Sequence, residues 1–180
     1  MKVKIILFFL VIFMFSNLTF ADRPPSWQEF EVKSNNNQYI AEIKAKDKTK
    51  GKNPQDWDYQ ITVFEMPKKA LWSCDYDYDG YPEGILSDDG STFAYINFWY
   101  RNNQPVVSIY RNGKKGAVLA GKDFNIPQSK LKTALSHQLW LTEDGIRYKF
   151  NFMAGLPLLL EITTMDGKTH IIDVEAMRFL

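Results

Sequence analysis

The sequence has few of the residues that usually build compact chemical sites. Its 180 residues include one cysteine and two histidines. The single cysteine, Cys74, cannot form an internal disulfide, and no Cys/His spacing typical of zinc sites is present. HExxH, G-x-S-x-G and glycine-rich phosphate-binding motifs are also lacking. Motif-based metalloproteases, α/β-hydrolases and P-loop enzymes are therefore excluded.

An excess of charge of one sign is also lacking. The chain has 22 basic and 21 acidic residues. Residues 1–21 contain two lysines and no acids, so the remainder has 22 − 2 = 20 basic and 21 acidic residues, a formal charge of −1. A balanced charge gives no general attraction to nucleic acid, and no nucleic-acid partner is expected.

Long apolar runs are missing except at the N-terminus. Lys2 and Lys4 precede an uncharged apolar run over residues 5–15, and Thr19-Phe20-Ala21 fits the small-x-small pattern before a cleavage site. The run is shorter than the roughly 20 residues that a membrane-spanning helix needs. Residues 1–21 are therefore predicted to be a signal peptide cleaved near Ala21. The mature chain, 22–180, would be periplasmic or secreted, with no transmembrane segment after cleavage.

The most informative feature that is present is an internal repeat. SNNNQYIAEI (34–43) aligns without a gap with SDDGSTFAYI (87–96), and ITVFEMPKK (61–69) aligns with VSIYRNGKK (107–115). A weaker third copy has TEDGIRYKFNF (142–152) and EITTMDGKT (161–169). Each copy combines polar turns with strand-like segments, and Asn112-Gly113 and Asp166-Gly167 are strong hairpin signals.

These patterns predict one all-β domain over 22–180. It would consist of three repeated antiparallel β-meander units, blade-like in form, at about 28–73, 82–120 and 141–176. One short helix or 3₁₀ stretch is expected between units two and three, because Leu131, Leu135 and Leu139 recur every four residues there.

The S-x-D-G strand opening resembles WD-type and related exported β-propeller repeats. The stretch over 72–140, with a proline before a DDG turn, a hairpin and then S-H-x-x-W, resembles exported bacterial β-repeat proteins of uncharacterised function. The resemblance implies blade-like sheets and no particular activity. Propellers usually close with four to eight blades, and only three copies fit this chain. An open three-sheet stack, a β-sandwich and completion by self-association as a homo-oligomer all stay open.

The acidic stretch DYDYDGYPEG (75–84) has two interpretations. If the chain curls at Gly80, Asp75, Asp77 and Asp79 would offer three carboxylates for weak Ca²⁺ binding, although Leu86 stands where the standard loop has glutamate. If the chain is extended, the tyrosines pack inward and the acids face solvent, with Asp79-Gly80 at the tip of a turn. The second interpretation is preferred.

The stretch NFWYRNNQ (97–104) is the second candidate site. Trp99, Tyr100, Arg101 and Asn103 combine rings with hydrogen-bonding groups, which suits a sugar or a peptide. The alternative is that the rings fill both faces of a β-layer while the amides form a hairpin loop.

Two further features have simple structural interpretations. KAKDKTKGK (44–52) would be a solvated loop or a contact for an anionic partner. His137 would pair with Trp140 after the short helix.

The sequence thus favours an exported, non-enzymatic binding or assembly module of the cell envelope, with a protein, peptide or polysaccharide as partner. The alternatives are an envelope-polymer hydrolase with an acidic or Ser/His site, and a weak calcium-binding structural module.

Overall fold

The computed structural model describes residues 24–152 and 156–180, and the predicted signal peptide lies outside them. Within these ranges the chain is all-β, as predicted: its strands form antiparallel sheets, and the helical segments are short 3₁₀ turns. None of the described helices is long and apolar enough to span a bilayer.

The first four strands form sheet A, in which each strand pairs antiparallel with the next. They are β1 (Phe30–Lys33), β2 (Tyr39–Ala45), β3 (Tyr59–Glu65) and β4 (Lys69–Tyr76). A 3₁₀ turn, Pro54–Asp56, lies in the long loop before β3. In β3 the first, third and fifth residues are buried and their neighbours are less so. This period of two is expected for a sheet with one face in the core.

Sheet B repeats the same order of pairing with β5 (Ile85–Leu86), β6 (Thr92–Ile96), β7 (Pro105–Arg111) and β8 (Lys114–Ala120). Asn112 and Gly113 connect β7 to β8 with φ angles of 47° and 78°. Two consecutive positive φ values match the right-handed twist of the paired strands. The hairpin predicted at this position is therefore confirmed.

The region after sheet B, where one short helix or 3₁₀ stretch was expected, contains 3₁₀ turns and no single continuous helix. The chain makes two 3₁₀ turns, Gly121–Phe124 and Gln128–Lys130, and then a two-stranded sheet of β9 (Lys132–Thr133) and β10 (Gln138–Leu139). Asn125, at φ 47°, ends the first turn in a left-handed conformation that a continuing helix cannot adopt. Leu131 is 8% exposed and Leu135 is 87% exposed, so their spacing does not mark one helical face.

Sheet C contains the last four strands: β11 (Tyr148–Asn151), β12 (Leu159–Thr163), β13 (Thr169–Asp173) and β14 (Arg178–Phe179). The predicted turn at Asp166-Gly167 does connect β12 to β13. However, it is a five-residue loop, in which Gly167 has a positive φ of 81°.

Strand β6 explains how the three larger sheets pack. All five of its residues are buried, because its two faces enter two different cores. Phe93 and Tyr95 pack with sheet A, whereas Ala94 and Ile96 pack with sheet C. Sheet B is therefore the middle layer of a stack. The sheet A core includes Ile43, Ile61, Val63 and Tyr76, and the sheet C core includes Leu160, Ile162 and Ile172.

His170 on β13 should make the stability of this stack depend on pH. Its ring lies edge-on to Phe124 and Phe179, at centroid distances of 5.2 and 6.0 Å, and its Nε2 is 3.2 Å from Thr164 Oγ1. Burial lowers the pKa of His170; nearby Asp166 opposes this shift, and Lys168 adds to it. The unfolded chain therefore binds the proton more readily, and stability should fall as pH drops below about 6.5.

The measurement is the melting temperature of the wild type and His170→Gln between pH 5 and 8. The two pH profiles should run parallel above about pH 7 and diverge below the usual histidine pKa of about 6.5, where the wild type loses more stability. Profiles that stay parallel down to pH 5 would contradict the expectation.

Candidate functional site

The acidic stretch begins at the end of β4, and over residues 75–78 its rings and acids lie on opposite sides. Tyr76 and Tyr78 are buried, while the side chains of Asp75 and Asp77 are 80% and 69% exposed. This agrees with the second interpretation of the stretch. The expected turn tip at Gly80 is wrong, however. Gly80 is buried in an irregular connection between β4 and β5, because the N-terminal segment covers it.

The three aspartates do not converge on one point. Asp75 pairs with Lys46 at 2.7 Å, Asp77 pairs with Lys115 of β8, and Asp79 turns inward toward β6. Among the described residues, no group of three Asp, Glu, His or Cys side chains could hold a metal ion. The arrangement does not fit Ca²⁺, which needs several oxygens at about 2.3–2.6 Å. Calcium binding would require this segment to rearrange, and it stays a prediction.

Asp79 is the most constrained acid of the stretch. Its Oδ1 accepts a hydrogen bond from the Tyr95 hydroxyl, and its Oδ2 accepts one from Asn97 Nδ2 at 2.6 Å. Burial, followed by the charge of Asp79, raises the pKa of Tyr95 far above its usual range, so the phenol stays protonated and donates. Asn97 is itself fully buried, and its Oδ1 accepts from the backbone N–H of Trp99 at 2.8 Å. The Asp79 carboxylate is thus held by two donors from the end of β6.

Arg101 lies beside this carboxylate on a well-anchored loop. Its Nη2 is 3.8 Å from Asp79 Oδ2, and its Nη1 donates to Gln104 Oε1 at 3.3 Å. The Arg101 carbonyl accepts from the backbone N–H of Gly121 at 3.0 Å. A Cβ on Gly121 would come within 2.6 Å of that carbonyl oxygen, so only glycine allows this approach. The backbone of Arg101 is therefore fixed, while its side chain is 35% exposed.

The other residues of the predicted ring-and-amide site separate. Trp99 is fully buried and stacks on His137 at a centroid distance of 4.6 Å. As placed here its ring cannot contact a ligand, which corrects the prediction for this residue. Tyr100 is partly buried, and its backbone N–H donates to the Gln138 carbonyl at 2.7 Å. Asn103 is exposed on the β6–β7 hairpin loop. Of the four residues, Arg101 is the one that lines the two cavities of the cleft described below.

His137 and Trp140 also differ from the expectation that they pair. The His137 ring stacks on Trp99 instead. Trp140 is fully buried, packs edge-on against Phe124 at 4.8 Å and donates from Nε1 to the Asn97 carbonyl at 2.8 Å. The S-H-x-x-W stretch therefore anchors the chain with its tryptophan and directs its histidine to the cleft described below.

An N-terminal strap, residues 24–28, forms the opposite wall. The Gly80 carbonyl accepts from the backbone N–H of Ser26 at 2.9 Å, and the Tyr59 hydroxyl donates to the Trp27 carbonyl at 3.1 Å. Gly80 has φ 90°, and a Cβ there would lie 2.5 Å from Pro25. Because glycine alone fits under the strap, the strap is seated directly on the residue that follows Asp79.

Two cavities meet at Asp79 and Arg101, and together they form the Asp79–Arg101 cleft. The smaller, of about 200 Å³, also touches Asp77, Tyr78, Tyr95, Pro105 and Ser108. The larger, of about 600 Å³, is lined further by Pro24, Pro25, Trp27, Tyr81, Ser136 and His137. The cleft thus combines a fixed carboxylate, a partly exposed guanidinium, hydroxyl groups, an imidazole and an apolar wall. This composition is typical of ligand sites, which are largely apolar with a few placed polar groups.

The lysine-rich loop is neutralised by neighbouring acids. Four of its lysines form ion pairs with acidic residues of sheet A or of the segments flanking it. The pairs are Lys44–Glu42, Lys46–Asp75, Lys48–Glu29 and Lys50–Asp58. The solvated-loop interpretation therefore fits better than a free anion-binding patch.

No protein-family model, curated protein or solved structure matches this chain. The interpretation of the cleft consequently depends on its own chemistry.

Sequence reasoning named Asp79 as a possible metal ligand or as part of a turn tip, and it missed Tyr95 and the strap. The prolines directly after the predicted cleavage site were the available signal for the strap.

Proposed function

We propose that this protein is an exported, non-enzymatic binding module of the cell envelope, periplasmic or secreted. Its ligand, a peptide, a polysaccharide or part of an envelope protein, would be held in the Asp79–Arg101 cleft. The observation that carries this proposal is the Asp79–Arg101 pair. A carboxylate held by Tyr95 and Asn97 stands beside a partly exposed guanidinium where two cavities meet. Because the carboxylate and the Arg101 backbone are already held in place, little conformational entropy is lost there on binding.

We also propose that sheets A, B and C are copies of one blade-like unit. In support, one turn recurs in each sheet: a Ser or Thr hydroxyl bonds to an Asn or Asp oxygen two residues later, and the next residue has a positive φ. In sheets A and B the same serine oxygen accepts from the backbone N–H five residues on, at 3.0 Å. The pairs are Ser34–Asn36 (2.7 Å), Ser87–Asp89 (2.6 Å) and Thr164–Asp166 (2.6 Å).

Binding is tested by co-sedimentation of the purified protein with isolated bacterial cell envelopes. The wild type should sediment with them, and Arg101→Ala should bind about tenfold more weakly because it removes a charged hydrogen-bond donor from the cleft. Arg178→Ala is the matched control, since Arg178 is an exposed arginine of β14 that does not line the cleft. Equal sedimentation of Arg101→Ala and the wild type, at equal melting temperature, would contradict the proposed site.

A second candidate function, hydrolysis of an envelope polymer, is favoured by one observation. Ser136 Oγ lies 3.0 Å from His137 Nδ1, and both residues line the larger cavity. A serine nucleophile needs a base that a third group orients. Asp79, the acid that lines the same cavity, is engaged by Tyr95 and Asn97, and binding is kept as the preferred function. Release of soluble fragments from the envelopes by the wild type but not by Ser136→Ala would make hydrolysis the preferred function.

A further inference from the structure

The guanidinium of Arg101 has hydrogen-bonding capacity left over. Arginine presents five N–H donors in a planar fork. Within the described residues, one of them is in a hydrogen bond, to Gln104 at 3.3 Å. The contact with Asp79 is 3.8 Å long, an electrostatic contact beyond hydrogen-bond range. Because Arg101 lines both cavities, its remaining donors are available to a ligand in the cleft.

The charge balance around Arg101 favours a ligand with a single negative charge. Asp79 already offsets the arginine, and the other acid of the cleft, Asp77, is paired with Lys115. A phosphate would bring a charge of about −1.5 to −2 next to Asp79, whereas a carboxylate brings −1. A carboxylate also matches the planar fork with two parallel hydrogen bonds. A carboxylate is therefore the anionic group that best fits this position.

The rest of the cleft suits a sugar better than a peptide. The larger cavity is lined by polar side chains, among them Tyr81, Ser136 and His137, beside the partly buried Trp27 ring, which offers an apolar face. Peptides that pair with a sheet edge or present a free C-terminus are held largely by backbone groups of the protein. The carbonyl of Gly80, the residue after Asp79, is already occupied by the strap.

The geometry points to a uronic-acid oligosaccharide as the ligand of the Asp79–Arg101 cleft, an inference that rests on the proposed binding function. Its carboxylate would sit on Arg101 at the junction of the two cavities, and its sugar rings would extend into the larger one. That cavity, of about 600 Å³, is within the usual size range of ligand pockets.

The test is calorimetric titration of the purified protein with oligogalacturonate. The comparison ligand is the same oligomer with its carboxylates methyl-esterified, which removes the charge and keeps the rings. The ester should bind at least about tenfold more weakly, and Arg101→Gln should lower affinity for the acid by a similar factor while barely changing affinity for the ester. Arg101→Lys should retain part of the affinity, Arg178→Gln should match the wild type, and added salt should weaken binding of the acid only.

The outcomes distinguish failure of this inference from failure of the proposed function. Equal binding of the acid and the ester would overturn the carboxylate assignment and leave a neutral-glycan module. Binding of peptides with free but not amidated C-termini, lost in Arg101→Gln, would overturn the sugar assignment alone. Binding to envelopes without binding to either oligomer would overturn the inference while the binding function stands. Absence of binding to envelopes and oligomers would overturn both.

Discussion

Replacing Trp140 with alanine should lower the free energy of unfolding by about 3–5 kcal/mol, the range typical of large-to-small core substitutions. Trp140 is fully buried, and its ring contacts Phe124 at 4.8 Å in the core between sheets B and C. The substitution would leave a cavity there. It would also remove the hydrogen bond of 2.8 Å to the Asn97 carbonyl, which lies in the loop that carries Arg101.

The measurement is chemical denaturation of the wild type and Trp140→Ala. Leu135→Ala is the control from the same segment, because Leu135 is 87% exposed and its truncation should stay within about 0.5 kcal/mol. Trp140→Phe, which restores part of the ring but no donor, should fall between the two. If Trp140→Ala behaves like Leu135→Ala, the packing assigned to this residue is wrong.

The leucine spacing around this tryptophan shows one limit of sequence reasoning. One short helix or 3₁₀ stretch was predicted within residues 121–140 because Leu131, Leu135 and Leu139 recur every four residues. Only tertiary burial reveals that Leu131 enters the core while Leu135 points to solvent. The leucines do recur every four residues, but they do not lie on one face of one helix. Where a local signal had a direct backbone cause, as at Asn112-Gly113, the prediction of a hairpin was correct.

Strand β6 shows a related limit. All five residues of β6 are buried, so the strand lacks the alternation of buried and exposed residues that marks a sheet with one face in the core. The sequence therefore indicates a strand but not that it lies between two other sheets. That position follows from which core each side chain enters, with Phe93 toward sheet A and Ala94 toward sheet C. Sequence alone therefore gave the all-β class and left the stacking order open.

The candidate site was harder to predict, because its parts come from distant segments. The alternation of DYDYD treats three aspartates alike, yet Asp79 alone turns toward Tyr95 and Asn97, which lie 16 and 18 residues further along the chain. Likewise, the order of Trp99 and Tyr100 shows that their rings face opposite sides. It does not show which side is buried.

Replacing Asp79 with alanine should lower the free energy of unfolding by about 2–4 kcal/mol. The substitution leaves the Tyr95 hydroxyl and Asn97 Nδ2 without their acceptor, and an unsatisfied buried donor typically costs about 1–3 kcal/mol. Tyr95 and Asn97 are 5% and 0% exposed, so water has little access to compensate. Denaturant unfolding of the variant and the wild type measures this loss.

Asp77→Ala is the matched control for Asp79→Ala. Asp77 lies two residues earlier, is 69% exposed and pairs only with Lys115 at the surface, so its removal should cost no more than about 1 kcal/mol. Adding Tyr95→Phe to Asp79→Ala should restore about 1 kcal/mol or more, because the double variant no longer buries an unpaired hydroxyl. Two aspartate variants of equal stability, or a double variant less stable than Asp79→Ala, would contradict the role assigned to Asp79. If the expected order holds, Asp79 is a structural anchor that keeps a carboxylate fixed beside Arg101. Of the three aspartates in DYDYDG, two are then surface acids, and the third, Asp79, organises the cleft.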